Sequence, residues 1–298
     1  MTSSPTFLPR PISIFILVFS ATLFASNHIA ARFAFDHDTG LLLAIFVRSA
    51  TALLIMVGIA LVLKSSFRIP RELRKWQIML GILITIQSIF LYSAITRIPI
   101  ALALLLVNTW PMMFILANWI TKRSEPSLKV FSVLVFILGG LYFVLDVPAD
   151  QVVTFDWILG VVLAWLSAVL LAYAMWISQY HMAHISGPVR SGYTMLFVVI
   201  SCIAVTGFDS TSELFSLPQS TIGWIALAAL ALLYGTASTF IFALAPKLDM
   251  TKNSPILNAE PVASLVLAYA LLGQTLSGMQ MIGGAIVIVG IITVSTMR

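Results

Sequence analysis

The residues best placed to do chemistry in this chain are a carboxylate and its neighbours, Asn258-Ala259-Glu260-Pro261, set inside a largely apolar run from about Thr251 to Leu272. A carboxylate in hydrocarbon is tolerated mainly where it faces a bundle interior or an aqueous cavity, so Glu260 marks such an interior. The proline that follows removes a backbone donor and frees the carbonyl one turn earlier, which predicts a kinked or locally open helix at that depth. A carboxyl so placed can meet a cationic group. It can carry a proton if it alternates between water and an apolar interior, or serve only as a structural hydrogen-bonding partner for a neighbouring helix.

Other apolar runs also carry polar groups. Ser13, Ser20, Phe24 and Asn27 share one helical face, with His28 beside them. Gly81, Thr85, Ser88, Tyr92 and Thr96 form a second stripe, which reads either as close helix packing or as the lining of a wet cavity. Arg48 also has two readings, a snorkelling structural cation or a group that meets a solute. Trp76, Trp119, Trp157 and Trp224 fall near the ends of apolar runs, where interfacial aromatic belts place them. Trp110 and Trp165 lie well inside theirs, so each indole N–H must find a partner, water or a cavity, with plain core packing as the alternative.

Several classes of chemistry lack their residues. No Gly-rich loop ending in Lys-Ser or Lys-Thr is present to cradle ATP phosphates. His181 and His184 are three apart but have no clustered companions, so no metal site is expected, and no other cofactor either. No nucleophile shares its depth with a His and an acid, so the chain does not read as an enzyme. Cys202 stands alone, which rules out an intrachain disulfide.

The elements that position these groups are membrane helices. The chain is 60% hydrophobic and 9% charged over 298 residues, and its apolar runs are continuous, which excludes alternating barrel strands. Ten runs are long enough to cross a bilayer, the first from Pro11 to Ala31, the fourth from Pro99 to Thr121, the sixth from Trp157 to Tyr180 and the last from Ser277 to Met297. Lys64 to Lys75, Lys122, Arg123, Lys129, Arg190, Lys247 and Lys252 all fall on one side if both termini are cytoplasmic, with Arg32 and Arg97 on the other. The basic loop from Lys64 to Lys75 then reads as an anchor on anionic lipid and not as a nucleic-acid site. Pro11 to Ala25 has some features of a cleaved signal, but it pairs with the sixth run as a matched span, and few charges precede it.

The chain also repeats itself. An offset of 150 takes Asn108 to Asn258, Pro111 to Pro261, Ser127 to Ser277 and Gly140 to Gly290 without a gap, and at the place of Glu260 the first copy carries Trp110. Residues 1–150 and 151–298 therefore read as two five-helix repeats. Because five is odd, the second copy crosses the membrane upside down relative to the first, and the cations after the fourth run are absent at the matched positions after the ninth. The expected architecture is all-α, ten transmembrane helices as two inverted five-helix repeats around a central cavity. Gly283, Gly284 and Gly290 are read as packing glycines of the last helix.

These features resemble a known family. Phe24-Ala25-Ser26-Asn27, Phe46-Val47-Arg48-Ser49-Ala50-Thr51-Ala52, Glu260-Pro261-Val262-Ala263, Leu272-Gly273-Gln274-Thr275-Leu276-Ser277 and Gly283-Gly284-Ala285 resemble the EamA-like branch of the drug/metabolite transporter superfamily over nearly the whole chain. The chain departs from the pattern where the family often has Gly-Glu-Arg, with Gly273-Gln274-Thr275 and Arg123-Ser124-Glu125 instead. Asn108-Thr109-Trp110-Pro111 and the aromatic interior look most like the YddG-type aromatic amino acid exporters. The resemblance implies export of amino acids across the bacterial inner membrane.

The resulting expectation is a secondary exporter working by alternating access. Trp110, Trp165, Tyr92 and Tyr234 would accept an apolar or aromatic side chain, while Asn27, His28, Asn108, Asn258 and Glu260 meet the zwitterion. Pro111 and Pro261 would be the helix hinges and Glu260 a candidate for proton coupling. The expected partners are the small-molecule substrate and the lipid bilayer, with no nucleic acid, and the oligomeric state is left open, a monomer being one option. Efflux of lipophilic cations paired with Glu260 is the rival in transport chemistry. A non-transporting scaffold or sensor is the rival from another class, and the short loops speak against it.

Overall fold

Apolar runs this long can satisfy their backbone in lipid only as helices, and that is what forms. In a computed structural model, residues 7–95, 97–98, 100–123, 127–145, 154–208, 215–272 and 276–296 are described. The helices are α1 (Arg10–Phe35), α2 (Leu41–Val62), α3 (Arg71–Ile95), α4 (Ile100–Val107), α5 (Trp110–Ile120), α6 (Leu128–Leu145), α7 (Phe155–Tyr180), α8 (Gly187–Phe208), α9 (Thr221–Leu244), α10 (Met250–Asn253), α11 (Ala259–Leu272) and α12 (Gly278–Thr296). Among the described residues seven stretches are long and apolar enough to cross a bilayer, the α4–α5 stretch among them, and α6 and α12 are shorter apolar helices. The protein is a multi-pass membrane protein. The expected linker around Asp146 to Asp156 falls mostly outside the described residues, as does Thr96.

Helix starts follow local capping chemistry. The Thr154 hydroxyl accepts from Trp157 N at 3.1 Å to open α7, and the Ser220 hydroxyl accepts from Gly223 N at 3.1 Å to open α9. Ser277 and Gln280 exchange bonds in a reciprocal capping box at α12, Ser277 N donating to Gln280 Oε1 and Gln280 N to Ser277 Oγ.

Two of the expected spans, the fourth and the ninth, are broken, the ninth at the depth where an open helix is expected. α4 ends at Val107 and α5 starts at Trp110, with Thr109 N donating to Leu106 O and the Asn108 amide donating to Leu104 O at 2.8 Å. The counterpart run divides into α10, a 3-10 segment Ser254–Asn258, and α11. Pro111 and Pro261 therefore do not kink helix interiors. Each sits in the first turn of the helix that follows the break, where a missing N–H costs no intrahelical bond.

Packing repeats under exchange of the halves. α1 packs on α9 as α3 does on α7, α2 on α9 as α3 on α8, and α1 on α11 as α7 on α4 and α5. Pairs α2–α8 and α6–α12 map onto themselves. The same relation holds for one pair of contacts between α6 and α12. Gly140 meets Val287, and Gly290 meets Ile137, which lies 150 residues before Val287. A methyl on Gly140 would fall 2.6 Å from Ile286 Cγ2, and one on Gly283 2.6 Å from the Gly140 carbonyl. Gly284, expected to join this packing, has open space around it.

On the other side of the bundle, Arg190 is 1% exposed in the first turn of α8. Its guanidinium donates to Met182 O at 3.0 Å and to Phe242 O, and its carbonyl accepts from Gln77 Nε2 at 3.1 Å. It is thus a buried clamp between α3, α8 and α9 and not a free loop cation. Nearby, the His181 ring stacks on Trp76 at 3.7 Å between centroids and lies 4.9 Å from Trp176, joining the ends of α3 and α7. Burial first, then the cations Arg123 and Lys75, hold its imidazole below the ordinary His range.

Two outcomes follow for stability. Because Cys202 is buried and is the single cysteine of the sequence, a thiol-reactive dye reports unfolding in detergent. Gly140→Ala and Gly283→Ala are expected to unfold at lower temperature, by an overpacking cost of about 1–3 kcal/mol. Gly139→Ala and Gly284→Ala, with nothing near them, should unfold at or above the wild-type temperature. Equal effects at all four sites would contradict the packing described. For His181 the lowered value means the fold favours the neutral ring. Its contribution is therefore complete above about pH 6.5 and is lost as pH falls below that. Acidification should lower the unfolding temperature more in wild type than in His181→Phe, and parallel pH curves for the two proteins would refute this.

Candidate functional site

The site is built where the breaks leave space. A cavity of about 140 Å³ opens at the seam between the halves, lined by α1, α2, α3, α4 and α5 from the first half and by α7, α9, the 3-10 segment and α11 from the second. Glu260 stands in the first turn of α11, where the positive end of the helix favours a carboxylate. Its Oε1 lies 2.7 Å from His28 Nε2 of α1, so the imidazole N–H donates to the carboxylate across 232 residues of chain. The two side chains keep 19% and 30% exposure, and both line the cavity. The acid therefore faces a protein-walled hollow and not acyl chains.

Around this pair the walls are amphipathic. Asn27, Asn108 and Gln87 contribute amides, and Phe24, Trp110, Leu171 and Met175 contribute apolar surface. Trp110 occupies, at the start of α5, the place Glu260 holds at the start of α11, and packs edge-on to Phe114 at 6.3 Å. Phe24 meets Tyr234 edge-on at 5.9 Å. Gln87 donates to Ser167 Oγ at 3.0 Å and so ties α3 to α7 at the cavity wall.

Arg48 also lines the cavity, although it is only 6% exposed. Its guanidinium carbon lies 4.7 Å from the Tyr92 ring centroid and 4.3 Å from that of Tyr234, between the two rings. A second cavity, about 370 Å³, lies beyond Tyr92 and is lined by Thr85, Ser88, Tyr92, Arg97 and Cys202 among others. The α3 stripe thus divides its roles. Gly81 packs against Phe197, while Thr85, Ser88 and Tyr92 line the second cavity.

Of the residues singled out from the sequence, Asn27, His28, Asn108, Trp110, Tyr234 and Glu260 come together in the central cavity. Tyr92 does not line it but reaches it through Arg48. Two expectations are corrected. Trp165 is 43% exposed on the outside of the bundle, because α7 buries its small-residue face, Ala164, Ser167, Ala168 and Ala172, and the tryptophan lies off that face. Asn258 is fully buried in the 3-10 segment, which packs on α1 and α12, and it does not line the cavity. Gln87 and Met175 were missed. Gln87 had a signal, an amide deep in an apolar run.

The comparisons agree with this architecture. A model of the EamA-like transporter family matches residues 11–146 and again 158–296. No curated protein matches the chain. Among solved structures, a crystal structure titled only as that of a protein superposes with a TM-score of 0.81 over 96% of both chains at 18% identity, a likeness of fold alone. With nearly its full length matched in two consecutive copies, the chain belongs to the EamA-like transporter family.

Proposed function

We propose that this protein is a secondary transporter that exports amino acids, aromatic and other neutral ones, across the inner membrane by alternating access. In this reading ten crossings form two inverted repeats, 1–150 and 151–298, with both termini cytoplasmic and a monomer as the working unit. Contact symmetry between the halves and the one-sided distribution of Lys and Arg support the topology.

The observation that carries the reading is the His28–Glu260 pair opening onto an amphipathic cavity at the seam. A carboxylate held by one imidazole keeps acceptor capacity for a substrate ammonium. Trp110, Phe24, Leu171 and Met175 offer the apolar surface an aromatic or aliphatic side chain requires. The paired breaks at Asn108-Thr109 and at Ser254–Asn258 both border the cavity, which supports backbone hinges at the same seam. Efflux of lipophilic cations fits less well, because Arg48 places a positive charge in the same cavity.

Liposomes containing only this chain provide the test. Wild type is expected to move labelled neutral amino acids, with a rate that responds to an imposed pH gradient. Glu260→Gln, which keeps the shape and removes the charge, should cut flux by about tenfold or more, the loss of one charge-assisted hydrogen bond. Undiminished flux with an unchanged response to pH would remove both the binding and the coupling role of Glu260.

A further inference from the structure

Arg48 is left over by that reading. It sits in the second turn of α2, buried, and its guanidinium lies over the rings of Tyr92 of α3 and Tyr234 of α9. Among the described residues no carboxylate pairs with it, its Nε is buried without an acceptor, and it nonetheless lines the central cavity. Ring faces attract a cation but accept no N–H bonds in the plane of the guanidinium fork. The burial of this charge is therefore only partly offset, and its donors remain unmatched.

We propose that Arg48 is the carboxylate receptor of the central cavity. The two tyrosine rings hold the guanidinium flat, which leaves its edge to take a planar carboxylate through two parallel N–H···O bonds. Glu260, lining the same cavity, takes the ammonium, so the solute is selected as an amino acid and not as an amine. Because Tyr92 lines the second cavity while Arg48 and Tyr234 line the central one, the stack is also the wall between the two. A carboxylate drawing on Arg48 acts at that wall. This assignment rests on the transport reading above.

Competition with two molecules of one skeleton separates the possibilities: phenylalanine, and phenethylamine, which keeps the ammonium but lacks the carboxylate. In wild-type proteoliposomes phenylalanine should displace labelled substrate about tenfold or more better than phenethylamine. Arg48→Gln should abolish that preference while leaving phenethylamine binding unchanged or tighter. If the Gln variant does not fold, Arg48→Lys decides. It keeps the charge but not the fork, and should lose most of the preference. A preference retained in the variant that is measured overturns the assignment. So does a preference that disappears when chloride is replaced by methanesulfonate, which carries no carboxylate, since Arg48 would then serve an inorganic anion. Wild-type vesicles that move no solute would sink the transport reading itself, whereas active vesicles that bind amine and amino acid alike sink only the role of Arg48.

Discussion

A charged side chain at membrane depth must be compensated within the protein or wetted from a cavity, and the placement of Glu260 answers both demands. Its carboxylate is bonded to His28, stands at a helix N-terminus and opens onto a hollow enclosed by both halves of the chain. That placement requires α11 to begin near mid-chain of its run, and so requires the preceding residues to leave the α-helix. The 3-10 segment Ser254–Asn258, seeded by Pro255, is the means. α1 must then lie against α11 to bring His28 within reach, which it does.

The first half builds the same scaffold without the charge. α5 begins at Trp110 as α11 begins near Glu260, and α7 packs on α4 and α5 as α1 packs on α11. One face of the cavity thus carries an indole where its counterpart carries a carboxylate. A duplicated frame with unlike chemistry at matched positions suits an amphipathic solute. The α6–α12 pair, with Gly140 and Gly290 in reciprocal contact, lies apart from the cavity and holds the halves together.

Much of this was legible in the sequence because it leaves strong local marks. Proline beside an intramembrane acid announces a break, and the 150-residue offset announces the duplication. What was not legible is which face of an apolar helix looks inward. The inward face of α7 is made of Ala and Ser, which leave little polar trace, so the large Trp165 drew attention although it points outward. Asn258 shares its run with Glu260, but the change from α to 3-10 geometry alters the angle between successive side chains and buries its amide elsewhere. Arg48 had two readings until the rings of Tyr92 and Tyr234, distant in sequence, were found on either side of it. The His28–Glu260 bond is likewise a fact of tertiary packing, invisible to helical periodicity.

The central claim is that the hollow at the seam is reached by water and holds the solute. Replacing Cys202 by Ser gives a background for single cysteines. Val107→Cys lies on the cavity wall and Trp165→Cys on the outer surface. In vesicles, a membrane-impermeant thiol reagent is predicted to modify Val107→Cys, and transported amino acid to slow that modification while leaving any reaction at Trp165→Cys unaltered. A Val107→Cys that stays unmodified in a transporting protein, or one whose modification is indifferent to substrate, would contradict the account.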